Sequence, residues 1–393
     1  MKILVFDNIV LGHHIEYLHH LNIGAERQEN IELIYVLPAE FQTIKNNYSW
    51  DGINSRFVFF DDIEKKKEGK DFLAIIKKSF RLSKSLKKYI EEYKPDAVFL
   101  NMMVYFMPAL PFIVSSRSPI YGIIYKIYLY RWKNLSVFQR IQNVFINFLY
   151  NKFQSIGGVF VLNDNSAAQC LNRIYKSKKY VYLPDPFNEQ LYIGKNIRNN
   201  FQIEETEKVY LHFGALASRK GTCEILDAIL TAGKEDLREK FFIFAGIVNR
   251  EIRTEFYTKI VQLKKKCRIH VIDEFCSNNL VADLCASTNY ILCPYKESDL
   301  SSGVLGYAAF YKKPVIAPQS GVIGKLVRKY ALGLTINQIT PEQIWNAIQM
   351  IEKIDYRPKA YIETVRIEEF NKIVFETIES GNNDIGFVSA KQI

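Results

Sequence analysis

His212-Phe213-Gly214-Ala215-Leu216-Ala217-Ser218-Arg219-Lys220-Gly221, followed closely by Glu224-Ile225-Leu226-Asp227-Ala228-Ile229, decides how this chain is read. The apolar run Val209 to Phe213 ends in a glycine, a short loop with two adjacent cations follows, and the next apolar residues recur at helical spacing. A strand passing into a helix through such a loop gathers backbone N–H groups and positive charge at one crevice, which suits a diphosphate. An ordinary βα turn with a surface Arg-Lys pair has the same appearance, and as a loop residue Lys220 is expected to sit at the surface with little packing.

The same alternation runs through the whole chain. Candidate strands are Lys2 to Phe6, Ile31 to Val36, Arg56 to Phe60, Ala97 to Leu100, Ile120 to Ile124, Val159 to Leu162 and Tyr180 to Leu183. In the second half they are Val209 to Phe213, Phe241 to Ala245, Ile269 to Ile272, Tyr290 to Cys293 and Pro314 to Ala317. Segments of 3.6-residue period, such as Phe72 to Tyr93 and Leu135 to Phe153, lie between them, so the expected class is α/β with parallel sheets. Leu183-Pro184-Asp185-Pro186-Phe187 has two prolines that forbid regular structure. The expected domains are therefore 1–185 and 186–379. A terminal helix runs from Ala360 to Ile378, with the option of crossing back to the first domain, and the polar tail 380–393 is expected to fray.

The 393 residues suit two or three domains, and 48% hydrophobic with 24% charged residues excludes disorder as the main state. The net charge of +10 is uneven: residues 1–185 hold 25 Lys and Arg against 17 Asp and Glu, and residues 186–393 hold 27 against 25. A basic half can face phosphates, an anionic membrane or nucleic acid; no nucleic-acid reader motif accompanies it, so nucleic acid is not an expected partner. The six cysteines show no metal-binding spacing and several coincide with apolar positions, as buried reduced thiols in the cytoplasm would. The N-terminal MKILVFDNIVLG is too short and polar for a signal peptide, and no stretch reads as a membrane span.

A second informative stretch is Leu292-Cys293-Pro294-Tyr295-Lys296-Glu297-Ser298-Asp299-Leu300-Ser301-Ser302-Gly303-Val304-Leu305-Gly306-Tyr307-Ala308. A buried strand enters a loop with two carboxylates, and Ser-Ser-Gly opens a helix: Ser301 or Ser302 is expected to cap it, and Gly303 to let a ligand approach its N–H groups. Lys313-Pro314-Val315-Ile316-Ala317-Pro318 and the loop Ser320 to Gly324 complete the series. Over about residues 205 to 335, order and spacing resemble the nucleotide-sugar half of family 4 retaining glycosyltransferases, the "glycosyl transferases group 1" type.

The resemblance implies a GT-B fold, two Rossmann-like domains facing a central cleft, the first on the acceptor side and the second binding the nucleotide sugar. It matches Lys220 to the lysine that holds the donor diphosphate and Gly214 to the glycine before it. Ala215 stands where the family has arginine, leaving Arg219 to supply the second cation. Of the family's two glutamates eight positions apart, the first falls at Asp299, with Glu297 as a nearby substitute, and the second at Tyr307, a phenol offered to the ribose. Ser301, Ser302 and Gly303 belong to the same donor site. Val271 to Leu280 resembles the family's loop beside the base, with Ser277 or Asn278 expected as a helix N-cap.

In the first half, Leu11-Gly12-His13-His14-Ile15-Glu16-Tyr17 follows the first strand and resembles the acceptor-side glycine loop, with Gly12 allowing close backbone approach. His13 is either a contact to acceptor or sugar or a plain helix-start residue. From Tyr121 to Phe153, aromatic residues interleave with Lys126, Arg131, Lys133, Arg140 and Lys152; core helices and an interfacial surface facing anionic lipid both fit this composition. No D-x-D occurs, and neither a metal nor a cofactor is expected.

The implied activity is transfer of a sugar, with retention, from a nucleotide-diphosphate donor to a saccharide or lipid-linked acceptor hydroxyl in surface polysaccharide or glycolipid synthesis. The expected location is cytoplasmic, peripheral at the inner face of the cell membrane. The alternatives are a non-catalytic GT-B partner protein and a nucleotide-sugar epimerase.

Overall fold

The computed structural model describes the chain apart from residues 10–12, 29, 45–49, 51–54, 61–71, 115–117, 189–193, 195, 298, 355, 357–359 and 390–393. It divides into two compact units, Met1–Pro186 with Ile367–Ile393, and Phe187–Arg366.

The first unit is built on β1 (Lys2–Phe6), β2 (Glu32–Pro38), β3 (Ser55–Phe60), β4 (Ala97–Leu100), β5 (Ile120–Ile124), β6 (Ile156–Leu162) and β7 (Tyr180–Leu183), arranged in the order β3-β2-β1-β4-β5-β6-β7. The second is built on β8 (Lys208–Phe213), β9 (Lys240–Ala245), β10 (Arg268–Ile272), β11 (Tyr290–Leu292), β12 (Val315–Pro318) and β13 (Gly333–Ile336), in the order β10-β9-β8-β11-β12-β13. Every pairing is parallel. Strands covered by helices on both faces must be apolar almost throughout, and Ile3 to Phe6, Val209 to Phe213 and Phe241 to Ala245 are all buried. In each sheet the strand order reverses once, between β1 and β4 and between β8 and β11. At such a reversal the loops leaving the carboxyl ends diverge and open a crevice.

Two expectations about the C-terminus are corrected. The helix Ile367–Ser389 takes the crossing-back option and belongs to the first unit, so the second domain's bound of 379 is corrected to Arg366. Phe370, Val374, Phe375 and Ile378 are buried with Leu18, Leu21 and Tyr121 in the first core, and Asn371 donates to the His20 carbonyl at 2.8 Å. The expected frayed tail continues this helix from Ser380 to Ser389: once nucleated, a helix propagates through weak formers such as Gly381 and Asn382.

All six cysteines are free thiols, and burial pushes Cys293 up to about 12 and Cys223 to about 11, which keeps both unreactive.

Candidate functional site

The loops at the β8/β11 reversal are stitched to one another by main chain. Lys296 N–H donates to the Arg219 carbonyl at 2.9 Å, and Glu297 N–H to the same oxygen at 3.3 Å. Gly221 adopts φ +71 as it caps the helix Thr222–Thr231, and a Cβ there would overlap the Pro294 carbonyl. Only glycine meets both conditions without strain. The two stretches singled out in the sequence thus form one surface in space.

A buried histidine sets the shape of the first loop. His212 Nδ1 lies 2.7 Å from the Leu292 carbonyl and Nε2 lies 3.0 Å from Thr222 Oγ1. The threonine hydroxyl also meets the Ala217 N–H at 3.1 Å. Burial, above all, drives the His212 pKa down to about 4, so the ring is neutral and its Nδ1 donates. Nothing in the strand pattern distinguished His212 from an apolar core residue, and its bracing role escaped the sequence reading.

Lys220 folds back over Gly214 instead of reaching into solvent, which corrects the expectation of a loosely packed surface lysine. Gly214 sits at φ +90, and a Cβ on it would come within 2.6 Å of Lys220 Nζ. The ammonium lies 5.0 Å from the centre of the buried Tyr295 ring, a cation–π contact. Burial, reinforced by the adjacent Arg219 charge, lowers the Lys220 pKa to about 8. Lys296 of the neighbouring loop, by contrast, is paired with Glu224. Among the described residues no carboxylate or carbonyl receives Lys220 Nζ.

Arg219 and Ala215 are both exposed beside it, and Glu297 is half-buried. Asp299 is buried further along the same loop. The expected serine cap is corrected: Gly303 holds the N-cap of Val304–Phe310 with no side-chain cap, at φ −57 and ψ −17. The chain is already helical at that residue, so Leu305 N–H finds the Ser302 carbonyl at 3.1 Å, and the N-cap position falls to the glycine rather than to Ser301 or Ser302. The Tyr307 ring stands edge-on to Phe213, the last residue of β8, at 5.6 Å and to Phe187 at 5.0 Å. Ser277 caps the helix Asn278–Ser287 by accepting from Leu280 N–H at 3.3 Å, as expected, and Ile247 and Phe275 are exposed beyond β9 and β10.

At the reversal of the first unit, Gly12 lies outside the described residues and His13 opens the helix His13–Glu26. The next residue, His14, holds a buried polar knot that the sequence reading missed. Asp7 Oδ2 accepts from His14 Nδ1 at 2.7 Å and from Asn101 Nδ2 at 2.6 Å, while Asp7 Oδ1 accepts from Ile9 N–H at 3.0 Å. Asn101 also donates to the His14 carbonyl at 3.1 Å, and the His14 and Tyr125 rings stack at 5.8 Å.

No protein-family model matches the sequence, and the search of curated proteins returns no relative. Solved structures do match along the whole chain. The crystal structure of Anabaena Alr3699/HepE in complex with UDP-glucose is 16% identical at a TM-score of 0.65, covering 100% of both chains. WaaG, a glycosyltransferase involved in lipopolysaccharide biosynthesis, is 13% identical at 0.61, covering 98% of this chain and 99% of its own. Sucrose-phosphate synthase from Thermosynechococcus elongatus is 14% identical at 0.64, covering 100% and 98%. These neighbours, like the two parallel sheets, share one architecture.

The fold is GT-B.

Within a GT-B chain each Rossmann-like unit offers one strand-order reversal, and the two found here differ in chemistry. The one in Phe187–Arg366 presents a lysine without a counter-ion among the described residues; the one in Met1–Pro186 presents a carboxylate that accepts from three neighbours.

Proposed function

We propose that this chain is a glycosyltransferase that moves a sugar, with retention, from a nucleotide-diphosphate donor to a saccharide or lipid-linked acceptor hydroxyl. Its setting is the assembly of a surface polysaccharide or glycolipid in the cytoplasm, at the inner face of the cell membrane. The observation that carries this reading is Lys220, a partly desolvated ammonium with no counter-ion among the described residues, held by Gly214 and Tyr295 at the β8/β11 reversal. A buried cation left unpaired costs stability, and an anionic ligand supplies the missing charge. The named UDP and UDP-glucose complexes of the HepE neighbour support a nucleoside diphosphate as that anion.

In this reading Phe187–Arg366 is the donor unit and Met1–Pro186 the acceptor unit. Lys220, with Arg219 as second cation, neutralises the diphosphate as the glycosidic bond breaks, and the interaction strengthens as negative charge collects on the leaving group. Asp299 and Glu297 serve the donor sugar, Ser301, Ser302 and Gly303 line the same site, and Tyr307 meets the ribose. The exposed Phe275 offers a face to the base, Gly12 is read as a donor-binding glycine, and His13 as a contact to acceptor or sugar.

The test is a panel of nucleoside-diphosphate sugars offered with and without saccharide or lipid-linked acceptors, followed by mass spectrometry of released nucleotide and proton NMR of the new anomeric centre. Transfer with the donor's anomeric configuration supports the proposal, and a protein that binds no donor of the panel refutes it. A second reading, a GT-B partner that binds donor without transferring it, is favoured by Ala215 and by the aromatic packing of Tyr307. Binding with no turnover on any acceptor selects that reading.

A further inference from the structure

The helix Val137–Lys152 is turned inside out. Its asparagine ladder lies toward the protein: Asn143, Asn147 and Asn151 each donate to the carbonyl four residues back, and Tyr180 donates to Asn147 Oδ1 at 2.7 Å. Asn147 is buried there beside Leu149 and Tyr150. The opposite stripe, with spacing 137, 141, 144, 145 and 148, is apolar and faces outward: Val137 is 71% exposed, Ile141 62% and Phe148 52%. Phe138 and Phe145 are exposed beside it, and Trp132 adds its ring under Arg140, whose guanidinium lies 5.3 Å from the ring centre. Water-facing helices carry the reverse pattern, and a contiguous apolar stripe of this length marks a surface that has an apolar partner.

The charge around the stripe identifies that partner. Residues 97–163 contain six Lys and Arg and not one Asp or Glu. Lys133 and Lys152, at the two ends of the helix, are both exposed. An interfacial helix buries its large apolar side chains among acyl chains while flanking cations meet lipid phosphates, and a segment without acids lessens the repulsion an anionic surface would otherwise meet. At 16 residues the helix is suited to lying in an interface, and among the described residues none is long and apolar enough to cross a membrane.

We propose that this face of the first unit docks on an anionic lipid bilayer, with Val137, Ile141, Phe145 and Phe148 inserted and Lys133, Arg140 and Lys152 against the headgroups. It gives the membrane location in the functional proposal a definite surface, and it is read by vesicle binding alone, so it stands or fails apart from the donor chemistry.

Co-flotation of the full-length protein with vesicles of phosphatidylcholine, alone or with about one-third phosphatidylglycerol, tests it. The expected result is binding to the anionic vesicles, weakened by salt, and little binding to the neutral ones. Ile141→Ser/Phe145→Ser/Phe148→Ser and Lys133→Glu/Lys152→Glu should each weaken it about tenfold or more with an unchanged thermal midpoint, since these side chains project from the fold. Absence of binding to anionic vesicles, or binding indifferent to both sets of substitutions, overturns the proposal. So does a homodimer that the triple serine variant converts to monomer, because the face would then be occupied by a second copy.

Discussion

The two strand-order reversals occupy equivalent places in their sheets and solve opposite electrostatic problems. At the β1/β4 reversal Asp7 receives His14, Asn101 and the Ile9 N–H, so its charge is answered from within the chain. At the β8/β11 reversal Lys220 rests on an aromatic face with its charge unanswered among the described residues. A satisfied buried network rigidifies, whereas an unsatisfied one is poised for a ligand. On the proposed function the first knot is scaffolding and the second is the place for the donor's anion, so substitutions can separate stability from turnover.

The largest effect is expected at Lys220. Lys220→Ala should lower the transfer rate by about 10²–10³, measured as steady-state kcat on the donor found by the panel. The fold should be intact or slightly more stable, because a desolvated charge has been removed. A rate within a few-fold of the parent would put the phosphate elsewhere.

Next comes Asp7. Asp7→Asn keeps the shape but turns an acceptor that serves three donors into a group with an N–H₂ of its own, and should cost about 3 kcal/mol in denaturant unfolding. The contrast between the reversals would be broken if unfolding free energy were unchanged and catalysis alone collapsed.

Arg219 is expected to matter least, since its exposed guanidinium is screened by water. Arg219→Ala should slow transfer by about tenfold, and adding Ala215→Arg should restore part of the loss, because it returns a cation to the same edge. Competition kinetics on a mixed pool of variants would resolve the order Lys220, Arg219, parent.

Much of the fold was legible because buried parallel strands leave apolar runs that polar or helical segments interrupt. Each expected strand is present within a few residues, from β1 at Lys2–Phe6 to β12 at Val315–Pro318. The edge strand β13 was overlooked: Gly333-Leu334-Thr335-Ile336 is short, begins with a glycine at φ +146 and is only half-buried over most of its length. The candidate site was legible where backbone geometry demands a residue type, as at Gly214 and Gly221. It was illegible where function depends on long-range packing: Tyr295 under Lys220, His212 bracing Thr222 and His14 joining Asp7 to Asn101 are pairings across loops whose contact no local spacing encodes. The apolar stripe of Val137–Lys152 was visible as composition, but whether it faced core or solvent was decided only by which side the asparagines took.

The central claim is that Lys220 waits for an anion, and calorimetric titration of a nucleoside diphosphate across alkaline pH tests it most directly. In the free protein burial holds the lysine pKa near 8, below its ordinary 10.5. A bound diphosphate raises that pKa, so the ligand must recruit a proton once pH exceeds the free value. Parent affinity should therefore be flat up to about pH 8 and then fall about tenfold per pH unit toward the pKa of the bound lysine. Lys220→Met should bind about tenfold or more weakly at neutral pH and lose that break in its profile. Parent and variant profiles that coincide in affinity and slope would contradict the assignment of Lys220 as the diphosphate's partner.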